Sequence, residues 1–264
     1  MDLRLTFNED PSNYEKFRPT YTDEMYKDVI GFSSLYGSKR ALEIGIGTGQ
    51  ATLPFLKTGC KVTAIELGDK LAQFSREKFA EYKDFEVINQ DFESVQLDEN
   101  DYDLVYSASA FHWIPQEIGL PKVYRILKSG GVFAWISIQP APAQEHIHIH
   151  EEFQKVYSRH SYFFRNEPVP SPQIRQQQAE KKRLDRFNAL EQYGFVDIDT
   201  KSYYGTRTFS AKDYTTLIST YSDHKAMPDD IRIPFLKEIA NTIERCGGKF
   251  TLSDTIILGM GRKP

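Results

Sequence analysis

The residues best suited to chemistry stand at the ends of apolar runs in the first half of the chain. Gly45, Gly47 and Gly49 follow the run Ala41-Leu42-Glu43-Ile44 and precede a segment with helical spacing. Glycine permits positive φ and a close approach of the backbone to a ligand. The N–H groups at a helix start offer hydrogen bonds to whatever lies over such a loop. The pattern is typical of a nucleoside-binding loop, and also of an ordinary strand-to-helix turn.

Two carboxylates follow the next apolar runs. Glu66 comes 21 positions after Gly45, close to the offset of about 20 residues at which an acidic residue meets ribose hydroxyls in a βαβ nucleoside site. Asp91 follows the alternating run Phe85-Glu86-Val87-Ile88-Asn89. Acidic residues at strand ends are also routine surface or turn residues. The offset from the glycine loop favours the binding role for Glu66.

A titratable imidazole, His112, stands between Phe111 and Trp113. It follows the run Asp101-Tyr102-Asp103-Leu104-Val105-Tyr106-Ser107-Ala108, which ends in small residues. Small residues at the carboxyl end of a central strand leave room for a ligand in the crevice of an open parallel sheet. A histidine there can take up a proton or orient a nucleophile. A packed and hydrogen-bonded histidine is the ordinary alternative.

The spacing of the glycines narrows the choice of ligand. The dinucleotide fingerprint G-x-G-x-x-G would place its third glycine at position 50, which is Gln50. The loop also lacks the Gly-Lys-Ser/Thr ending of a phosphate-binding P-loop. The stretch Glu43-Ile-Gly-Ile-Gly-Thr-Gly49 instead resembles the E/D-x-G-x-G-x-G first motif of class I S-adenosylmethionine-dependent methyltransferases.

Two further stretches resemble a subgroup of that family, the trans-aconitate methyltransferase type. One is Tyr14-Glu-Lys-Phe-Arg18-Pro-Thr-Tyr21, and the other is Ala110-Phe-His112-Trp113. The resemblance implies that Arg18 pairs with the methionine carboxylate of the cofactor, S-adenosyl-L-methionine, because a guanidinium matches a carboxylate. It implies that Asp91 and Phe92 hold the adenine. It also implies that His112 and Trp113 face the transferred methyl group and bind the substrate, with His112 as the catalytic residue.

The resemblance therefore predicts a full set of cofactor-binding residues: Tyr14, Arg18, Glu43, Gly45, Gly47, Gly49, Glu66, Asp91, Phe92 and Ser107. No metal ligands are expected. His146, His148 and His150 alternate, but the residues after them favour a helix, in which side chains two positions apart diverge.

The elements that must position these residues alternate as strand and helix from Arg40 to Ile138, which predicts an α/β doubly wound parallel sheet. By resemblance, two later strands complete a Rossmann-like sheet of seven strands, the last antiparallel. We expect a single domain over residues 1–264. Its parts are an N-terminal arm and helix (1–36), a cofactor-binding core (37–139), a helical cap insertion (140–192) and a C-terminal completion of the sheet (193–264).

The predicted cap contains an aromatic cluster and a long helix. The aromatic residues are expected to cover the mouth of the site: Tyr157, Tyr162, Phe163 and Phe164. The helix is expected from Arg175 to Tyr193, with Leu184, Phe187 and Leu190 facing inward. Its basic residues are expected to form a solvated face: Lys181, Lys182, Arg183 and Arg186.

Length, charge and cysteine content limit the remaining possibilities. The 264 residues carry a formal net charge of −4, which gives no general reason to expect nucleic-acid or membrane binding. The two cysteines, Cys60 and Cys246, have no metal-ligand spacing. The start has no signal-peptide organisation, and no apolar run approaches the ~18 residues of a membrane span. We expect a soluble cytoplasmic protein with a small-molecule partner; the sequence does not indicate the oligomeric state.

The expected reaction is methyl transfer to a small molecule. Methyltransferases that act on exocyclic base nitrogens or glutamine amides commonly carry N/D-P-P-Y/F after the fourth strand, where this chain has Ser107 to Trp113. An oxygen nucleophile such as a carboxylic acid is therefore favoured. Two alternatives stay open: a nicotinamide-dependent oxidoreductase, and a non-catalytic cofactor-binding protein.

Overall fold

A computed structural model describes residues 3–160 and 171–264. Its centre is a seven-stranded sheet with the strand order β3-β2-β1-β4-β5-β7-β6. The first five strands pair in parallel, and β7 pairs antiparallel with both β5 and β6. The seven-stranded, mostly parallel sheet predicted from the sequence is confirmed. The strands are β1 Arg40–Ile44, β2 Lys61–Ile65, β3 Phe85–Ile88, β4 Tyr102–Ala108, β5 Leu127–Pro142, β6 Val196–Ser210 and β7 Lys249–Arg262.

Helices cover both faces of the sheet. They are α1 Pro11–Phe17, α2 Asp23–Ser33, α3 Thr52–Leu56, α4 Asp69–Lys78, α5 Gln116–Ile126, α6 Ile147–Ser158, α7 Pro172–Gln192, α8 Ala211–Ser219, α9 Ser222–Lys225 and α10 Asp229–Arg245. Short 3-10 helices span Leu3–Glu9, Phe111–Trp113 and Gln144–His146. No helix within the described ranges is long and apolar enough to cross a membrane.

Alternate residues of the central strands pack into two separate hydrophobic cores, one on each face of the sheet. On β4, Leu104 and Tyr106 belong to one buried cluster, whereas Val105 belongs to the other. On β5, Ala134 and Phe133 divide in the same way. Successive strand side chains point to opposite faces, so a strand covered on both faces is apolar throughout.

The order of the strands determines where a ligand can bind. From β1 the chain continues to β2 and β3 on one side, and β4 then returns to the other side of β1. In an open parallel sheet this reversal opens a crevice beyond the carboxyl ends of the strands. The glycine loop follows β1, and the His112 segment follows β4. The predicted binding residues therefore meet at one edge of the sheet.

Strand β5 is longer than the sequence indicated. The predicted cap begins at residue 140, but β5 continues to Pro142 and stays paired with β7 as far as Leu252. Its partner on the other side, β4, is already at its end where Ala108 pairs with Ile136. Proline is tolerated there because the unpaired edge needs no N–H donor. Pro140 and Pro142, which fall in the predicted cap, are therefore part of an extended strand.

Helix α7 packs on the sheet with a different face from the one predicted. Leu184 and Phe187 are 59% and 36% exposed, and only Leu190 of the three expected inward residues is buried. Arg186, expected in solvent, is 6% exposed. Its aliphatic stem lies over Gly259 of β7, where the missing side chain leaves space. The assignment of Arg186 to a solvated face was wrong.

The rest of the predicted cap is helical where it is described. Ile149, Phe153 and Val156 of α6 pack into a third buried cluster with α8 and α10. The aromatic ring of Tyr157 contacts this cluster. Three of the aromatic residues expected over the site mouth lie outside the described residues: Tyr162, Phe163 and Phe164.

Candidate active site

The glycine loop after β1 has the backbone geometry that its composition predicts. Gly45, Gly47 and Gly49 have φ values of 73°, 59° and 80°, in the left-handed region that favours glycine. A Cβ on Gly47 would lie 3.2 Å from the Tyr14 ring, and one on Gly45 would collide with Ala110. Gly45 and Gly47 line a cavity, whereas Gly49 is packed against Phe79.

Glu66, at the end of β2, holds this loop in place. Its Oε2 accepts a hydrogen bond from the Gly47 N–H at 2.8 Å, and its Oε1 accepts one from the Gly68 N–H at 2.9 Å. The side chain is buried and lines the cavity. Burial raises the pKa of its carboxyl group above the ordinary value. Each carboxylate oxygen keeps a lone pair for a further donor, such as a ribose hydroxyl.

Glu43 lies below the loop in a hydrogen-bonded network. Its Oε2 accepts hydrogen bonds from the Thr52 hydroxyl at 2.7 Å and the Tyr106 hydroxyl at 2.8 Å. Burial raises the pKa of this carboxyl group to about 7. Glu43 therefore supports the loop from beneath as well as lining the cavity.

The raised pKa of Glu43 predicts that the stability of the folded protein depends on pH. Because the folded-state pKa is above the unfolded value of about 4.3, the protonated form favours folding. The contribution is complete below pH ~4.3 and is lost as pH rises to about 7, with a slope of at most ~1.4 kcal/mol per pH unit. In urea unfolding at a series of pH values, Glu43→Gln should lack this slope and keep both hydrogen bonds. Equal slopes in both proteins would contradict the assignment.

The end of β3 carries the predicted adenine-binding pair. Asp91 Oδ1 accepts a hydrogen bond from the Glu93 N–H, and its Oδ2 lies 3.4 Å from the guanidinium of Arg4. Arg4 also pairs with Glu93 at 3.2 Å. Phe92 is buried and lines the cavity beside Asp91. The N-terminal residues thus reach the Asp91 end of the cavity, which no sequence pattern indicated.

Arg18, which directly follows α1, is surrounded by aromatic rings. Its guanidinium lies 4.8 Å from the ring centres of both Tyr14 and Tyr221 and 5.1 Å from that of Phe7. One terminal nitrogen donates to the Thr220 carbonyl at 2.9 Å. Its Nε is buried and has no hydrogen-bond partner within the described residues. A guanidinium with an unused buried donor on a cavity wall suits a carboxylate ligand.

The segment after β4 forms the far end of the cavity. Ser109 has φ 60°, and its hydroxyl shares a 2.9 Å hydrogen bond with the Tyr21 hydroxyl. His112 and Trp113 follow on a 3-10 turn, with ring centres 5.2 Å apart. The Phe7 and Trp113 rings form a T-shaped pair, with their centres 6.0 Å apart. Tyr21 belongs to the quoted N-terminal motif, and its spacing from Arg18 is the signal that could have identified it.

His112 is exposed to solvent yet lies in a basic environment. The surrounding protein atoms lower the pKa of its imidazole by desolvation, and the positive charges of Lys182 and Arg186 lower it further. The neutral imidazole is therefore the dominant form near neutral pH. It can donate one hydrogen bond and accept another.

Besides Gly49, Ser107 is a predicted cofactor residue that the structure places outside the cavity wall. Its hydroxyl donates to the Ile44 carbonyl at 2.9 Å, and the side chain is fully buried. It joins the ends of β1 and β4 and does not line the described cavity. The Ser107 hydroxyl is therefore used within the sheet.

The remaining predicted residues line one cavity of about 510 Å³: Tyr14, Arg18, Glu43, Gly45, Gly47, Glu66, Asp91, Phe92, His112 and Trp113. Its wall runs from Asp91 past Glu66 to His112. Asp223 also lines it, and its Oδ1 is held by the buried His224, whose other ring nitrogen meets the Tyr157 hydroxyl at 2.9 Å. The donor set fits S-adenosylmethionine: acids for the adenine amino group and ribose, and a guanidinium for the amino-acid carboxylate.

Comparison with known proteins also indicates a methyltransferase. Residues 42–135 match a family model described as a methyltransferase domain. An uncharacterised methyltransferase of Mycobacterium tuberculosis is 29% identical over 130 residues, 49% of this chain and 51% of that protein. The chain thus spans about half the length of the first curated relatives that it matches. An uncharacterised methyltransferase of Schizosaccharomyces pombe is 24% identical over 251 residues, 91% of this chain and 89% of that protein.

A solved structure supports the fold over nearly the whole chain. A putative type II methyltransferase from Anaeromyxobacter dehalogenans superposes with a TM-score of 0.64 at 18% identity, covering 93% of this chain and 98% of that one. The domain match disfavours the nicotinamide alternative. The chain therefore contains a methyltransferase domain, on the Rossmann-like fold of the S-adenosylmethionine-dependent enzymes.

Proposed function

We propose that the protein transfers the methyl group of S-adenosylmethionine to an oxygen nucleophile of a small molecule, such as a carboxylic acid. The observation that carries this proposal is the continuous cavity of about 510 Å³. It extends from Asp91 past Gly47 and Glu66 to His112 and Trp113. Its volume is within the ordinary range for a small-molecule site, about 300 to 1,000 Å³.

The N-terminal segment supports a small acceptor. The Phe7 ring makes T-shaped contacts with both Tyr14 and Trp113, and Arg4 and Phe7 of the 3-10 helix Leu3–Glu9 both line the cavity. Arg4 continues this cover to the acidic end of β3. A site covered in this way suits a small molecule that fits entirely inside the cavity. It is poorly suited to a long polymer that would have to lie across it.

In this proposal the residues of the chain align the cofactor with the acceptor, shield the reaction from water and control the proton of the acceptor. When bound, the cofactor supplies an electrophilic methyl carbon. Arg18 would hold its amino-acid carboxylate and Glu66 its ribose, on either side of the sulfonium, which fixes the direction in which the methyl group points. Phe7 and Trp113, which line the cavity, would shield the methyl group from part of the solvent. The neutral imidazole of His112 would orient an ionised carboxylate by donating a hydrogen bond, or accept the proton of a hydroxyl acceptor.

Binding and turnover test the proposal together. In calorimetry, S-adenosylhomocysteine is expected to bind and NADH is not. With S-adenosylmethionine and a pool of small carboxylic acids, S-adenosylhomocysteine should form only when the acids are present. Binding of NADH alone would overturn the proposal in favour of an oxidoreductase. Binding of S-adenosylhomocysteine without turnover on acids, alcohols or amines would favour a non-catalytic binding protein.

A further inference from the structure

A second cavity lies beside the first, on the side of His112 that faces α7. Its volume is about 430 Å³. The two cavities share Ser109, His112 and Ile138 in their walls. A molecule in the second cavity would therefore lie next to the imidazole at which the cofactor cavity ends.

Two cations from one face of α7 line this second cavity. Lys182 and Arg186 are four residues apart, so their side chains are neighbours on the helix. Asp185 is the only acidic residue among the described residues of the wall. Within the described parts of the chain, neither cation forms an ion pair with a carboxylate. The two like charges repel each other, and the wall carries an excess of positive charge.

Burial makes the charge of Arg186 especially costly. Its guanidinium donates to the Trp135 carbonyl at 3.0 Å, to the Ile257 carbonyl and to the Ser137 hydroxyl at 2.6 Å. All three acceptors are neutral, and burial lowers the pKa of Arg186 to about 9. A buried charge without an opposite charge is destabilising. An anion in the adjacent cavity would offset part of that cost.

We infer that the second cavity binds the methyl acceptor, and that the acceptor carries a carboxylate or phosphate group remote from its reacting oxygen. Lys182 provides N–H donors for this anion at the mouth of the cavity. Arg186 contributes its charge, because its terminal nitrogens already donate to the protein. The reacting oxygen then lies beside His112. This inference rests on the proposed methyl transfer and names the charge of its substrate.

The two tryptophans of the chain allow a direct test. Trp113 lines the first cavity and Trp135 the second. In a Trp113→Phe protein saturated with S-adenosylhomocysteine, fluorescence reports Trp135 alone. Lys182→Glu in this background is expected to lower quenching by iodide at least about twofold, because the local anion concentration falls. Quenching by neutral acrylamide should not change.

A neighbouring lysine provides the matched control. Lys181 is exposed on the same helix and does not line the cavity, so Lys181→Glu makes the same change in net charge. It should leave iodide quenching unchanged. An equal loss in both variants, or no loss in Lys182→Glu, would overturn the inference. If S-adenosylhomocysteine fails to bind the wild-type protein, the proposed function itself is wrong; normal binding without an iodide preference overturns only the inference.

Two competitors distinguish the possible anions. Citrate offers carboxylates, and phenyl phosphate offers a phosphate group. One of them is expected to protect Trp135 from iodide more than potassium chloride of equal ionic strength does, and Lys182→Glu should abolish this protection. The more effective competitor identifies the anion. No protection by either, beyond that of the salt control, would overturn the assignment of the cavity to an anionic acceptor.

Discussion

Methyl transfer by a His112→Ala protein is expected to be at least about tenfold slower than by the wild type. The smaller effect applies to an acceptor that is already ionised, because only one orienting hydrogen bond is lost. For an acceptor that must lose a proton, the expected loss is about 10²- to 10⁴-fold. Steady-state kinetics at saturating cofactor would measure it once an acceptor is known.

A His112→Gln protein separates these two roles. Glutamine can donate a hydrogen bond but does not titrate near neutral pH. If His112 is a base, activity rises as pH rises through its lowered pKa, and His112→Gln removes this acidic limb along with the rate. If His112 only orients, His112→Gln keeps most of the rate, and neither protein shows the limb. Unchanged turnover in both variants, with a lower melting temperature, would make His112 a packing residue.

Replacing Glu66 by alanine is expected to weaken S-adenosylhomocysteine binding by ~1.5 to 3 kcal/mol, the cost of losing charge-assisted hydrogen bonds. This corresponds to about a 10- to 150-fold rise in the dissociation constant. The structure adds a second cause, because the same carboxylate holds the N–H groups of Gly47 and Gly68. Loss of both contacts would loosen the loop. Calorimetry would measure the affinity directly.

A second carboxylate provides the control for this experiment. Glu86 lies on the adjacent strand β3, accepts a hydrogen bond from Thr63, and is absent from the described cavity wall. Glu86→Ala should therefore bind S-adenosylhomocysteine as the wild type does. Unchanged affinity in Glu66→Ala would refute the ribose assignment. An equal loss in both variants would point to general destabilisation of the sheet.

Local pattern was enough to predict the part of the site that lies directly on the strand ends. The glycines after β1, Glu66 after β2 and Asp91 after β3 occupy positions set by strand length and by the edge at which parallel strands end. Period-two alternation and short loops are properties of neighbouring residues, so one sequence contains them. The seven-stranded fold followed from the same alternation, together with a family resemblance.

The contacts of the N-terminal arm could be predicted only in part from local sequence pattern. The motif around Tyr14 and Arg18 indicated a role near the cofactor, but Arg4 and Phe7 lie in no recognisable pattern. Their positions depend on contacts with Asp91 and Trp113, which are distant in sequence. A short 3-10 segment has no periodicity that would show which residues it meets. Only the folded chain brings them to the cavity.

In helix α7 the contribution of the sequence can be separated from that of the tertiary structure. The sequence by itself determined that a helix lies there and that Leu190 faces inward. Tertiary structure decided that Arg186 is buried and Leu184 exposed, because β7 offers the helix a gap at Gly259, and the carbonyl groups of Trp135 on β5 and Ile257 on β7 accept hydrogen bonds from the guanidinium. A guanidinium can satisfy those carbonyls, whereas a leucine cannot. Hydrophobic periodicity assumes an apolar partner surface, and here the partner surface is polar.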